Sequence, residues 1–418
     1  MIKNSKFSIL RIIDYIIILL VILNSGFALT TGLNDFLLYS QIVLLGLVIV
    51  ANGRYFRIPK YDFRQLAILL IVLSMIVALI VNMDTSAKLT YLHCALYIAI
   101  AYLINLAYDS NVIISVFLKV MLVVSIASVV VSVLNFIVPF SSYSLVVKNG
   151  SNVQYYTIGI VNFIKSTFNT FPRCCGIFWE PGLYAGFLGL AALFDLIHSE
   201  DNKKILRVVI YCIAIFFSYS TAGYLYIIMI ILLAFSQRLN NIAGTIVLGL
   251  LGVLLTVAFL NIDLIIDVLI KINPNVFSKI FLKNASYLTR SISPLADFSI
   301  IFNHPLGVGY GNIQRIRVET IKDWGTDISL STSTLTYHGA SCGFLFLIVY
   351  NVLWIKNFLV IKKNILFKIL SFLLFIMVLT SNPLYNNQFI WVFLFFAFPQ
   401  VGQSVGFFSK KHNGDNND

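Results

Sequence analysis

The feature that most constrains this chain is a series of long apolar runs separated by polar connections. A membrane-spanning helix needs about 20 apolar residues, and shorter runs suffice where flanking side chains reach the surface. Hydrophobic residues make up 59% of the 418 residues and charged residues only 11%, too few charges to cover a soluble globule. We therefore predict an all-α integral membrane protein, a single polytopic domain over residues 1–418 with about twelve spans. The predicted spans are Ile12–Leu29, Phe36–Ala51, Leu66–Met83, Tyr91–Tyr108, Val112–Val138, Ile177–Ile197, Val208–Ser220, Ala222–Phe235, Ile242–Leu260, Ser341–Val360, Ile365–Leu379 and Gln388–Val401.

Lysine and arginine in the short connections predict the orientation, because they accumulate on the cytoplasmic side of a membrane. The seventh and eighth runs are short and adjoin near Tyr219, so they could form one span. A merged span would place Arg238 and the later basic connections on the opposite side from the earlier ones. Keeping the break puts every strongly basic short connection on one side, which predicts a multi-pass chain with both termini in the cytoplasm.

Two long segments then lie outside the membrane, at 139–176 and 261–340. Connections of this length in a compact protein are usually functional or have structure of their own. The polar tail at 409–418 is predicted to be disordered and cytoplasmic.

The net charge of +12 does not indicate nucleic acid, because the basic residues lie between apolar runs instead of forming one basic face. The five cysteines are odd in number and mostly lie in apolar runs, which argues against a disulfide framework. No metal-ligand spacing is present in the sequence, so we predict no metal site.

The first candidate site lies where the first long outside segment meets the sixth predicted span. Arg173 is a permanent, planar cation suited to phosphate or carboxylate oxygens, and Glu180 precedes Pro181, where a helix must start or kink. Charged groups at this depth are costly, which favours a functional role. The alternative is structural: Arg173 extends to the membrane surface and Glu180 caps a helix.

The second candidate site lies in the second long outside segment. It combines cations, imidazoles and a tyrosine within a glycine-rich run: Arg290, His304, Tyr310, Arg315, Arg317 and His338. The glycines alone favour a tight turn, because no strand and helix flank them as a dinucleotide site would require. Structural alternatives remain for four of these residues. His304 could hydrogen-bond backbone groups, and His338 could occupy an interfacial position. Arg315 and Arg317 could lie on a surface strand or at a helix edge.

The order of these motifs resembles a known superfamily. An arginine, then HPLGVGYG at 304–311, then YHG at 337–339 before a new span, resembles the large periplasmic loop of O-antigen ligases and Wzy-type O-antigen polymerases. The earlier RCCGIFWEP at 173–181 is similar to the segment that opens a middle span in the same superfamily, and its Glu-Pro pair is more like the polymerases.

The resemblance implies a C-type glycosyltransferase-like fold in the bacterial inner membrane, with the active site facing the periplasm. It implies transfer of a glycan from undecaprenyl pyrophosphate to the non-reducing end of another lipid-linked repeat unit, without a cofactor and with a chain-length regulator as partner. The alternatives are an O-antigen ligase, whose acceptor is lipid A core, and a polysaccharide flippase or transporter. A transporter is expected to distribute charges through the middle of several spans.

The same chemistry assigns expected roles to the candidate residues. A departing pyrophosphate needs cations, and the attacking acceptor hydroxyl must lose a proton. His338 is the first candidate for the general base, with His304 and Glu180 as alternatives. The residues expected to bind pyrophosphate or substrate are Arg173, Arg290, Arg315, Arg317 and Tyr310.

Overall fold

The computed structural model describes residues 13, 15–26, 34–51, 63–138, 145–148, 154–164, 172–199, 201–239, 242–243, 246, 285–322, 331–361, 363–385 and 387–396. Within these ranges the protein is predominantly helical. Its helices are α1 (15–23), α2 (Asn34–Ala51), α3 (Phe63–Val81), α4 (Lys88–Ala107), α5 (Ser110–Ile137), α6 (Pro181–His198), α7 (Lys204–Phe217), α8 (Thr221–Ser236), α9 (Ala285–Asn303), α10 (Ile313–Ile321), α11 (Thr334–Cys342), α12 (Phe344–Leu359), α13 (Ile365–Ser381) and α14 (Gln388–Leu394).

Among the described residues, 4 helical stretches are long and apolar enough to cross a membrane: Phe63–Val81, Thr85–Ala107, Ser110–Asn135 and Pro181–His198. Further apolar helices of 10–17 residues accompany them. This supports the predicted class, a mainly helical membrane protein. The number of spans stays a prediction, and the tail at 409–418 and most of the ninth predicted span lie outside the described residues.

Helix α6 forms the centre of the bundle, and all its residues from Pro181 to Ile197 are buried. Glycines allow its neighbours to approach closely: a Cβ at Gly186 would lie 3.0 Å from Asn382 Nδ2, and one at Gly189 would contact the ring of Tyr226. The helix begins at Pro181 because proline has no N–H to lose at the first helical position. The predicted start of the sixth span is therefore close to the observed one.

Among its described residues, the segment at 139–176 contains a 4-stranded antiparallel sheet, which the all-α prediction did not include. A two-residue hairpin joins the second and third strands, and its first residue, Gly159, has φ +60° as such turns require. Gly176, with φ +56°, packs so closely on the ring of Tyr184 that a side chain would clash, which seats the fourth strand on α6. In order, the strands are β1 (Leu145–Lys148), β2 (Gln154–Ile158), β3 (Val161–Ile164) and β4 (Arg173–Gly176).

Two helix breaks shape the second half of the bundle. The break predicted between the seventh and eighth runs is confirmed, since α7 ends at Phe217 and α8 begins at Thr221. The tenth predicted span starts at Ser341, which lies in α11. The helix breaks at Gly343, whose φ is +97°, and α12 begins directly after it. A side chain at Gly343 would meet the carbonyl oxygen of Pro305 at 2.6 Å, so the break depends on close backbone packing.

Side-chain hydrogen bonds join helix ends and helix connections in two groups, one at each end of the bundle. The first group contains the pairs Asn387 with Ser25, Asn82 with Gly307, Arg173 with Ser218, and Thr334 with Asn382. The second contains Arg207 with Asp195, Gln237 with Leu196, Asn364 with Ser236, and Asn357 with Phe393. We call the end that holds the first group the site end, because the predicted site residues described here lie there.

Candidate functional site

Arg173 and Glu180 flank the turn that connects β4 to α6. Both side chains are half-buried, and both act electrostatically on the buried Cys175 between them. Arg173 Nε donates a hydrogen bond to the carbonyl oxygen of Ser218 at 3.4 Å, in the connection between α7 and α8. Phe178, fully buried in the same turn, stacks on the ring of Phe187 in α6 and fixes the turn to the core. The cation and the carboxylate are thus held on rigid supports.

The glycine-rich run packs against backbone, as the turn interpretation expects. Val308 N–H donates to the carbonyl of Ala340 at 3.1 Å, and Gly309 N–H donates to that of Ser341 at 2.9 Å. Gly307 has φ +82°, and a Cβ there would lie 2.6 Å from the backbone nitrogen of Gly343. These glycines therefore bring two chain segments together at the end of α11.

Asp84, which the sequence analysis did not select, anchors the same run. Its carboxylate is buried and accepts hydrogen bonds from Gly311 N–H at 2.8 Å and from the Ser86 hydroxyl at 3.1 Å. Tyr310 N–H donates to the hydroxyl of Tyr91 at 3.3 Å. The only sequence signal is a single acid directly after an apolar run, which by itself does not distinguish an anchor from a surface residue.

His338 lies in α11 and is only 1% exposed. Its Nε2 lies 3.0 Å from the carbonyl oxygen of Tyr385, and its Nδ1 lies 2.7 Å from the hydroxyl of Tyr310. Because a carbonyl can only accept, Nε2 carries the proton and Nδ1 accepts from Tyr310. Burial lowers the pKa of His338 to about 4, so the ring is neutral at physiological pH. Both nitrogens are engaged within the protein, and the role of general base stays a prediction.

Arg317 forms a buried ion pair with Asp297. The carboxylate Oδ1 accepts from Arg317 at 2.5 Å and 3.2 Å, while Oδ2 accepts from the hydroxyls of Thr336 at 2.7 Å and Ser331 at 3.0 Å. The guanidinium also lies 5.8 Å from the centre of the Tyr337 ring. These contacts tie α9, α10 and α11 together, a structural role that the sequence analysis did not anticipate for Arg317.

The other predicted residues have different surroundings. Arg315, on the same helix as Arg317, is exposed and pairs with Glu319 at 2.9 Å. His304 is exposed just beyond α9, and its carbonyl accepts from Gly307 N–H at 2.8 Å. Arg290 lies within α9, but its side chain lies outside the described residues.

The connection between α13 and α14 contacts both α6, which follows Glu180, and α11, which carries His338. On one side, Asn382 contacts α6 at Gly186, six residues beyond Glu180. On the other, its carbonyl accepts from the Thr334 hydroxyl at 2.9 Å, at the start of the helix that carries His338. The structure thus brings both candidate regions, predicted from distant parts of the sequence, to the site end.

Comparison with known proteins gave no match: no protein-family model matches the sequence, and no curated protein is significantly similar to it.

Proposed function

We propose that the protein is a bacterial inner-membrane polysaccharide polymerase that uses a lipid pyrophosphate as glycosyl donor. The observation that carries the proposal is that both charged regions lie at the same end of a helical membrane bundle. In the hydrogen-bonded pairs at that end, each partner lies in a connection predicted to be outside the membrane, or in the last turns of a predicted span that leads into one. A periplasmic site at this end would suit a donor whose lipid lies in the bilayer and whose sugars lie in water.

In the proposed reaction, the acceptor hydroxyl oxygen attacks the anomeric carbon of the donor sugar. The bond from that carbon to the pyrophosphate oxygen breaks, and undecaprenyl pyrophosphate leaves with the electron pair. Arg173 is assigned to the pyrophosphate because its planar guanidinium can bind two oxygens of the developing anion. Arg290 is assigned to the same anion from the second long segment, as the resemblance implies.

The proton of the acceptor hydroxyl must go to a base, and the described contacts favour Glu180 for this step. Glu180 is half-buried at the start of α6, and it flanks the same turn as Arg173, the proposed pyrophosphate cation. His338 is buried with both ring nitrogens engaged, and it reaches no substrate without breaking one of those hydrogen bonds. We therefore assign His338 and Tyr310 to holding the connection between α13 and α14, which contains Tyr385. His304, which is exposed, remains the alternative candidate for the base.

Deleting the gene and separating lipopolysaccharide on a gel tests the proposal. Loss of a polymerase leaves a single repeat unit on core. Bare core with accumulated lipid-linked polymer would indicate a ligase, and repeat units trapped on the cytoplasmic face would indicate a flippase; either result would overturn the proposal. Complementation with Glu180→Gln and His338→Gln, at matched protein levels, then compares the two base assignments: we expect only Glu180→Gln to leave single repeats.

A further inference from the structure

The connection between α7 and α8 contains a strained residue. Tyr219 has φ +47°, in the left-handed region that residues other than glycine rarely adopt. This conformation costs an L-residue about 1–2 kcal/mol. A glycine would form the same turn without that cost, so the tyrosine side chain is present despite a penalty.

The surrounding hydrogen bonds hold the turn in this shape. Tyr219 N–H donates to the carbonyl of Phe216 at 3.1 Å, and Ser220 begins α8 by accepting from Gly223 N–H at 3.4 Å. The hydroxyl of Ser218 donates to the carbonyl oxygen of Ile215 in α7 at 2.6 Å and accepts from Ser220 N–H at 3.2 Å. None of these bonds uses the phenol of Tyr219, so the hydrogen bonds of the turn do not require a tyrosine.

The strained residue lies next to the proposed pyrophosphate cation. The carbonyl that accepts from Arg173 Nε belongs to Ser218, the residue directly before Tyr219. The half-buried Tyr219 ring lies 6.2 Å from that of Phe216, which in turn lies 6.1 Å from that of Tyr224. We call Phe216, Tyr219 and Tyr224 the aromatic turn.

We propose that Tyr219 is a substrate-contacting residue that stacks on the first sugar of the lipid-linked saccharide whose pyrophosphate Arg173 binds. In such a donor the first sugar is bonded directly to the pyrophosphate, so a group beside the cation is placed to meet it. One face of a sugar ring carries C–H bonds, which match the negative face of an aromatic ring. This inference rests on the proposed function and extends it by assigning a sugar contact.

Binding measurements with two probes separate the sugar contact from the pyrophosphate contact. The probes are undecaprenyl pyrophosphate alone and the lipid-linked repeat unit extracted from the deletion strain. Arg173→Ala should weaken binding of both. Tyr219→Gly should weaken only the glycosylated lipid, by about 3- to 10-fold, the range expected for one aromatic contact, whereas Tyr219→Phe should bind both probes like wild type.

Thermal unfolding of the same proteins supplies the control for structural damage. Met83, at another turn of the site end, has φ +46° and is 84% exposed, so Met83→Gly relieves comparable strain outside the proposed site. Both glycine variants should unfold at the wild-type temperature or above it. Should Tyr219→Gly unfold earlier, Tyr219→Asn is used for the binding test, because asparagine tolerates the left-handed region.

The outcomes distinguish failure of the sugar contact at Tyr219 from failure of the pyrophosphate site at Arg173. Wild-type binding of the glycosylated lipid by a folded Tyr219→Gly or Tyr219→Asn protein overturns the sugar contact alone. Equal weakening of both probes by that variant also overturns it, because Tyr219 would then act on the pyrophosphate. If Arg173→Ala binds both probes like wild type, the proposed function itself loses its pyrophosphate site.

Discussion

Arginines 315 and 317 lie on the same helix in opposite environments, which allows a matched test of what each contributes to stability. Arg317 is 1% exposed and its partner Asp297 is fully buried, whereas the side chains of Arg315 and Glu319 are 63% and 59% exposed. Removing one partner of a buried pair typically costs about 3–5 kcal/mol, because the other charge stays buried without compensation. An exposed pair one helical turn apart contributes only about 0.2–0.5 kcal/mol.

We therefore expect the loss in free energy of unfolding to be several-fold larger for Arg317→Met than for Arg315→Met. The substitution is the same and the positions are two residues apart, so differences in expression or helix propensity largely cancel. The assay is unfolding of detergent-purified protein, followed by size-exclusion chromatography. In an Asp297→Ala background, Arg317→Met should restore part of the lost stability, because it removes the charge that is left buried without a partner. Equal losses from the two arginine variants, or additive losses in the double variant, would contradict this prediction.

Three further predictions follow from the site end and from the orientation. Burial lowers the pKa of His338 from 6.5 to about 4, so between these values the unfolded chain binds more protons than the folded one; stability should fall by roughly 3 kcal/mol as the pH falls through this window, and His338→Gln should show a flatter unfolding profile against pH. Gly307→Ala should cost at least about 1–2 kcal/mol because of its φ of +82° and its crowding, whereas Gly46→Ala, with nothing within 4 Å of the added Cβ, should leave the unfolding midpoint unchanged or raise it. An alkaline phosphatase fused after Lys283 should be active, and cytoplasmic location of this reporter would contradict the predicted orientation.

The sequence predicted the features that depend on local pattern. Apolar runs predicted the mainly helical membrane class, and the positions of basic connections predicted the break between α7 and α8. Pro181 marked the start of α6, because proline suits only the first turn of a helix. The four-stranded sheet was missed because strands of four or five residues leave too short a pattern to separate from a polar loop.

Features that depend on distant partners could not be predicted. Arg317 alternates with apolar neighbours in the sequence, and only the fold brings Asp297 to it from 20 positions away. His338 was chosen for its titratable ring, but its environment is set by Tyr310 and the carbonyl of Tyr385, which belong to other segments. Asp84 had no local motif at all.

The proposed polymerase activity is tested most directly by turnover of the purified protein in detergent or nanodiscs, with the lipid-linked repeat unit as the only substrate. We expect wild type to lengthen the glycan and to release undecaprenyl pyrophosphate in step with each bond formed. Arg173→Lys, which keeps the charge but loses the planar fork, should be substantially slower, and Arg173→Ala should be nearly inactive. Full-length polymer from a correctly folded Arg173→Ala protein would show that Arg173 does not stabilise the leaving pyrophosphate.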